Sequence, residues 1–400
     1  MSRPGKDGES EAPRACMIAY SHYFTDARIK NYVRALLRSG WEVDVFSLGR
    51  HSEEPTESGL RVFELMGKYR RGNPRVQLLT YVAFLLVATV RVGLASAARR
   101  YRLVHVHNMP DILILSGLIP RVFGAKVLLD IHDAMPETWM ARFGVSPTHP
   151  IVRALVLEET ASARLADAVL TVNDPLRETL IGHGIPREKV GVIVNTPNDE
   201  LFRPPATRSS RADLTLGFHG TIAKRLGVGL VVDALGLVRA QGAEVRLVLI
   251  GDGDFREEVD RQIDRLGLSA AVDRVGFVPL EELCGRLAGV DLGVVGNLLQ
   301  TEQAGTHMLP VKMLEYAAME VPCVAPRLPT IQSYFDDSCA LFYEPDSARD
   351  MAARILAAYE DRSIIEACRS GLRAFNGRMR WSVMERRYLE LVLRLTGIRG

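Results

Sequence analysis

The chain has no cysteine pair at C-x-x-C spacing. Its five cysteines (Cys16, Cys284, Cys323, Cys339 and Cys368) are scattered through 400 residues, which argues against a zinc site or disulfide framework and suits a reducing cytoplasm. An excess of one charge is missing too: a formal net charge of +2 gives no reason to expect nucleic acid as the main partner. No signal-peptide pattern opens the chain, and residues 1–13 are polar, with Gly and Pro, and read as a disordered tail. The full dinucleotide fingerprint G-x-G-x-x-G is absent, which counts against a dinucleotide-dependent dehydrogenase. The most apolar run, "VQLLTYVAFLLVATV" (76–90), stops at Arg91, short of the ~20 residues a spanning helix needs. No transmembrane segment is therefore expected. Basic residues surround the run: Lys68, Arg70, Arg71 and Arg75 before it, Arg99, Arg100 and Arg102 after it. Two readings follow, a helix packed on a sheet or an in-plane contact of the 68–102 region with anionic membrane headgroups.

What is present is regular alternation. Four hundred residues are too many for one ordinary core, so two domains of roughly 150–200 residues are expected. The runs 15–21, 41–48, 102–108, 126–132, 167–173 and 190–196 read as buried strands. Segments such as "DARIKNYVRALLRSG" (26–40) lie between them, apolar at helical spacing and stopped by Gly40. The stretch 195–213 is dense in Pro, Asn, Ser and Asp, and then a second series of strands begins at 214–220, 245–251, 273–279, 291–297 and 322–326. The expected class is α/β, with two Rossmann-like doubly wound domains at 14–205 and 206–375. Such a pair would face each other across a cleft at the carboxyl ends of the strands, where ligands bind. The amphipathic helix at the end, within 376–400, is expected to cross back to the first domain.

Four segments carry candidate chemistry. In "LLDIHDAMPETW" (128–139), Asp130, His132 and Asp133 leave a buried strand together, at the place where these sheets keep ligands. In "LGFHGTIAKRLGVGLVVDAL" (216–235), Lys224 and Arg225 stand before an apolar helix, against its macrodipole. A bound anion would resolve that conflict, and so would solvent. In "LVLIGDGDFREEV" (247–259), Gly251 and Gly253 turn a strand into a helix; Asp252 and Asp254 form Asp-x-Asp, but Asp254 reads better as the helix cap than as a metal ligand. In "LPVKMLEYAAMEVP" (309–322), Pro310 suits the first helical turn and the amides near 308–312 are free. Lys312 and Glu315 lie there three residues apart. They suit a ligand grip, with Glu315 on two ribose hydroxyls, or an intrahelical pair worth about 0.2–0.5 kcal/mol. Spacing alone leaves both open.

Taken in order, "DIHDAMPE", "ADAVLTVNDPLRETL", "VNTPNDELF", "FHGTIAKRLG", "IGDGDFREE" and "LPVKMLEYAAMEVP" resemble the family 4 retaining glycosyltransferases of GT-B fold. The resemblance runs from about residue 14 to about 395. It implies a nucleotide-diphosphate-sugar donor held by the second domain and a glycan, lipid-linked or small-molecule acceptor on the first. Position by position, it implies that Glu315 binds the ribose and that Arg225 and Lys224, after Gly220 and Thr221, meet the diphosphate. His132 would lie beside the donor sugar. Asp26 and Arg28 would belong to a loop closing over the phosphates, and Gly251 and Gly253 would border the base. The segment His307, Met308, Leu309, Pro310 and Val311, with Lys312, would complete the donor site. His307 stands where the family usually has the first of two glutamates, and Glu320-Val321 stands where Gly-Lys often ends the helix. The implied activity is metal-independent, front-face transfer without cofactor in surface polysaccharide or glycoconjugate synthesis. The implied location is cytoplasmic, with the membrane-peripheral alternative on the inner face of the plasma membrane. A GT-B epimerase or hydrolase and a non-catalytic two-lobed sugar-binding protein share enough of these features to stay open.

Overall fold

The computed structural model describes residues 12–49, 57–67, 74–206, 213–299 and 308–398; His307, residues 1–11 of the tail, and Lys68, Arg70 and Arg71 lie outside the described residues. Contacts divide the chain into two units. Unit 1 comprises 1–172, 177–193 and 385–400, and unit 2 comprises 173–176 and 194–384. The helix Trp381–Thr396 thus contributes its residues from Glu385 onward to unit 1, where Arg38 grips the Glu385 carboxylate at 2.9 and 3.0 Å.

Unit 1 is built on β1 (Arg14–Ala19), β2 (Glu42–Gly49), β3 (Leu60–Gly67), β4 (Leu103–His107), β5 (Lys126–Ile131), β6 (Ala168–Thr171) and β7 (Val190–Val192). Their order is β3-β2-β1-β4-β5-β6-β7, and all pairings are parallel. Unit 2 repeats the plan with β8 (Leu214–His219), β9 (Val245–Ile250), β10 (Val272–Val275), β11 (Leu292–Val294), β12 (Cys323–Pro326) and β13 (Ala340–Tyr343). Its order is β10-β9-β8-β11-β12-β13, again all parallel. The α/β class with two doubly wound sheets is as expected. The order reverses between β1 and β4, and between β8 and β11. The strands beside these reversals are almost wholly buried, as parallel strands covered on both faces must be.

The differences from expectation have physical causes. Two strands escaped the sequence reading, β3 and β13, and both are sheet edges. β3 interleaves Arg61 and Glu64 with its hydrophobics, and β13 is apolar throughout but only four residues long. The strand expected at 273–279 ends at Val275. Asp254 does not cap the following helix, which begins at Arg256 with Phe255 in the N-cap position and no side-chain cap. Pro310 likewise stands one place earlier than expected, as the N-cap of helix Val311–Ala318. The largest correction concerns the apolar run. It continues through Arg91 into a single helix, Pro74–Ala98, of 25 residues. Val76–Ala98 is long and apolar enough to cross a membrane. It is not simply packed on the sheet either, because much of its apolar surface is exposed.

Backbone closeness after β8, β9 and β11 demands glycine. A Cβ on Gly251 would lie 1.9 Å from the Gly220 carbonyl oxygen, and one on Gly227 would lie 1.8 Å from that of Gly296. Gly251 also has φ 129°, a region L side chains avoid. These contacts hold the turns after β8, β9 and β11 together, with Gly220 N–H donating to Ile250 at 3.0 Å and Ile222 N–H to Asp252 at 2.9 Å. Gly251→Ala is therefore expected to destabilise the chain by about 3–5 kcal/mol in urea titration. Gly242→Ala, also at positive φ but with nothing within 4 Å, should cost only about 1–2 kcal/mol. Equal losses would show that backbone crowding plays no part.

Candidate active site

In unit 2, helix Val311–Ala318 is seated on the strands at the β8/β11 reversal. Tyr316 donates its hydroxyl to the Gly217 carbonyl at 2.6 Å, and its ring occupies the space a Cβ on Gly293 would need, 2.6 Å away. This anchoring sets the facing of the two residues before it in the helix that matter. Glu315 does not pair with Lys312. Its Oε2 meets Nε2 of His219 at 2.6 Å, and His219, last residue of β8, is buried and packs edge-on against Tyr316. The intrahelical pair the spacing allowed is not formed.

Lys312 is 8 % exposed. Its Nζ lies 3.7 Å from the centroid of the Phe218 ring and has no hydrogen-bond partner among the described residues. A cation–π contact compensates only part of the lost hydration. Burial lowers the Lys312 pKa, the nearby Arg225 charge lowers it further, and Glu315 opposes them; the result is about 7. The ammonium also sits in the first turn of its helix, where the amides already carry positive partial charge. Lys224 and Arg225 lie in the short turn Lys224–Leu226 and are exposed. Leu309 and Pro310 are buried, Met308 is half-buried, and Val311 is exposed. One end of the sheet thus brings together Gly220, Arg225, Lys312, Glu315 and the Val311–Lys312 amides. Gly251 and Gly253 have an internal reason to be glycine, for a Cβ on Gly253 would lie 2.3 Å from the Ile222 carbonyl oxygen. The Asp-x-Asp residues are exposed, and Asp252 accepts from the Gly253 N–H at 2.8 Å.

Unit 1 sorts its candidates differently. Asp26 caps helix Ala27–Arg38, accepting from the Ile29 N–H at 3.2 Å. Arg28 points inward. Its Nε and Nη2 each donate to Asp130 at 2.7 Å, and Nη1 donates to the Ile193 carbonyl at 2.9 Å. Burial alone would raise the Asp130 pKa, but the Arg28 charge and hydrogen bonds, with His107, hold it well below the usual carboxylate range. Asp130 therefore parts company with its sequence neighbours: Asp133 is exposed and His132 half-buried. The His132–Asp133 turn is fixed by Asn108, whose Oδ1 accepts from both backbone amides at 3.1 and 3.4 Å and whose Nδ2 donates to the Asp133 carbonyl at 2.6 Å. Burial lowers the His132 pKa despite the Asp130 and Asp133 charges, and its buried Nδ1 has no partner among the described residues. Asn108 and His219 were not singled out from the sequence. Each follows or ends an expected strand at the reversal, which is the signal that could have found them.

Two clusters among the described residues have metal-ligand composition, His105/His107/Asp130 and Glu137/Glu159/His183. In the first, Asp130 is already gripped by Arg28 and His107. In the second, His183 bridges both carboxylates, at 3.2 Å to Glu137 and 2.7 Å to Glu159. These internal partners satisfy much of the ligating capacity a metal would need.

Because Arg28 and Asp130 are both buried, Asp130→Asn should destabilise unit 1 by about 3–5 kcal/mol, leaving an uncompensated guanidinium. An apolar double replacement, Arg28→Met with Asp130→Leu, should recover most of that loss in the same denaturant titration. A double variant as unstable as the single one would show that the pair is not the cause.

Comparisons with known proteins agree with this arrangement. Residues 25–196 match the glycosyl transferase 4-like domain, and residues 213–361 match the glycosyl transferases group 1 domain. Among curated relatives, the alpha-D-kanosaminyltransferase of Streptomyces kanamyceticus is 24% identical over 266 residues, 62% of this chain and 65% of that protein. A phosphatidylinositol N-acetylglucosaminyltransferase protein of Arabidopsis thaliana is 23% identical over 348 residues, 84% of this chain and 73% of that protein. The match to the amylovoran biosynthesis glycosyltransferase AmsK of Erwinia amylovora spans only 48% of this chain and 46% of the relative, at 23% identity. Among solved structures, sucrose-phosphate synthase from Thermosynechococcus elongatus superposes with a TM-score of 0.72 at 18% identity, covering 96% of this chain and 99% of that one. Anabaena HepE in complex with UDP gives 0.70 at 16% identity, covering 96% and 100%. The two matched domains, in this order and on two doubly wound sheets of GT-B type, place the chain in the glycosyl transferase 4-like, group 1 family of glycosyltransferases.

Proposed function

We propose that the protein is a retaining glycosyltransferase that moves a sugar from a nucleotide-diphosphate-sugar to an acceptor hydroxyl, working in the cytoplasm on polysaccharide or glycoconjugate synthesis. The observation that carries the reading is the buried Lys312 ammonium, without a hydrogen-bond partner among the described residues and set beside Arg225 and free helix amides. Such an arrangement is costly unless an anion completes it. A diphosphate is the anion that the neighbouring Glu315 implies, since a carboxylate offers acceptors for two ribose hydroxyls.

In the proposed mechanism the acceptor hydroxyl attacks the anomeric carbon from the face the diphosphate leaves. The carbon–oxygen bond to the phosphate breaks, the new glycosidic bond forms, and the hydroxyl proton passes to a phosphate oxygen. Lys312, Arg225 and the Val311–Lys312 amides stabilise the charge growing on the leaving group, a task that requires no metal on this reading. His219 orients Glu315 through their 2.6 Å contact. In unit 1, His132, whose turn is held by Asn108, is the residue that the family resemblance assigns to the donor sugar. UDP-glucose is the first donor to try because HepE is described in complex with it.

Glu315→Ala should weaken nucleotide affinity about 10–100-fold, and Arg225→Ala or Lys312→Ala should depress turnover by a similar factor. Turnover should persist in excess EDTA. A nucleotide-sugar panel with and without membrane-extract acceptor is the assay. Nucleotide release that needs no acceptor would favour a hydrolase or epimerase, and binding without release a sugar-binding protein.

The lowered Lys312 pKa adds a pH signature. Free Lys312 loses its proton near pH 7, and a bound diphosphate would raise that value. Nucleotide binding should therefore take up a proton above about pH 7, and affinity should fall as pH rises toward about pH 9. Calorimetry in buffers of different ionisation enthalpy measures the uptake. Lys312→Met should abolish it, and an unchanged uptake in that variant would assign the proton elsewhere.

A further inference from the structure

We infer that the helix Pro74–Ala98, with the adjoining segment 118–123, is a docking surface for an anionic phospholipid bilayer, lying in the plane of the membrane rather than across it. The inference does not depend on the transferase reading. The helix has two apolar faces. One is buried: Phe84, Ala88 and Val92 are fully covered, and Tyr20, just after β1, meets the rings of Tyr81 and Phe84 edge-on at 4.7 and 5.2 Å. The other face is open. Leu78, Leu79, Leu86, Val90 and Leu94 are each about 60 % exposed or more, up to 67%. No charged side chain interrupts the helix between Val76 and Val90.

The surface continues beyond the helix. Gly93 permits the short helix Leu118–Val122 to approach closely, for a Cβ there would lie 2.8 Å from Ile119 Cδ1. Ile119, Val122 and Phe123 are exposed beside it, Val122 to 85%. An open apolar area on this scale marks an interaction site rather than ordinary surface.

Charge selects the occupant. From residue 65 to residue 110 the sequence contains eight Lys and Arg and no Asp or Glu. Among the described ones, Arg91, Arg100 and Arg102 are exposed. Anionic headgroups complement that surface, and each exposed cation near them adds attraction. A second copy of the chain docked face to face would set the same positive surface against itself. Orientation follows from the buried face. A spanning helix would have to strip Phe84, Ala88 and Val92 from the core, whereas a helix of about 37 Å lying flat keeps them in place and buries only the open face in lipid.

The test is co-sedimentation of the full chain with vesicles of phosphatidylcholine, with and without phosphatidylglycerol. Binding should require phosphatidylglycerol, weaken with salt, and be released by alkaline carbonate. Leu86→Glu with Leu94→Glu should cut bound protein about tenfold or more, and so should Val122→Glu with Phe123→Glu. All four positions are exposed, so circular dichroism melts should stay unchanged. No binding by the parent chain, or equal binding by the variants, overturns the inference. So does carbonate-resistant pelleting, which indicates a spanning helix. So does a dimer, seen by ultracentrifugation, that these substitutions dissociate.

Discussion

Every strand pairing in both units is parallel, and that constraint governs the rest. Parallel strands all release the chain at the same edge, so residues distant in sequence meet there without any further device. His219 and Glu315, 96 positions apart, come into hydrogen-bond contact this way. In unit 1, Arg28 and Asp130 meet across 102 positions. The turns after β8, β9 and β11 crowd so closely that only glycine fits at Gly227 and Gly251.

Two buried cations show how differently the same edge can be used. Arg28 is answered completely, with a bidentate carboxylate and a carbonyl, and its neighbourhood reads as structural. Lys312 has no hydrogen-bond partner among the described residues; the face of Phe218 and the nearby Glu315 charge favour its ammonium, while burial, Arg225 and its own helix disfavour it. The cost of burying it is relieved by losing its proton or by the arrival of an anion. That contrast, rather than the presence of basic residues, separates a core ion pair from a candidate ligand grip. Glu320 illustrates a third case. It occupies a left-handed position, φ 52°, at the end of helix Val311–Ala318, where glycine is the usual choice, and its carboxylate is held by Arg373 at 2.9 Å. The replacement there concerns the helix terminus, not the site.

Much of the fold was legible because the central strands are continuous apolar runs and the helices between them keep helical spacing. β3 was not, since Arg61 and Glu64 interrupt its apolar residues, and neither was β13, an apolar run of only four residues. The long apolar helix was misjudged by stopping at Arg91; a single arginine does not end a helix, because its side chain can leave the apolar surface while the backbone continues. The candidate site was legible by segment but not by partner. Lys312 and Glu315 stand at the spacing of an intrahelical pair, and nothing in the local sequence directs Glu315 to His219 instead. Asp130, His132 and Asp133 are adjacent in sequence, yet a strand sends neighbours to opposite faces and its end sends the next residues into a turn. Asp130 therefore enters the core and Asp133 meets solvent.

By itself the sequence determined the α/β class, the two-sheet plan and the segments that gather at the strand ends, because burial pattern and turn chemistry are local properties. It also determined the family, through the order of those segments. Only the tertiary structure decided which charges are satisfied and which are not, since a partner 96 or 102 residues away leaves no mark in local spacing. It decided as well that the Pro74–Ala98 helix has one face in the core and one outside, because both faces are apolar and only packing distinguishes them.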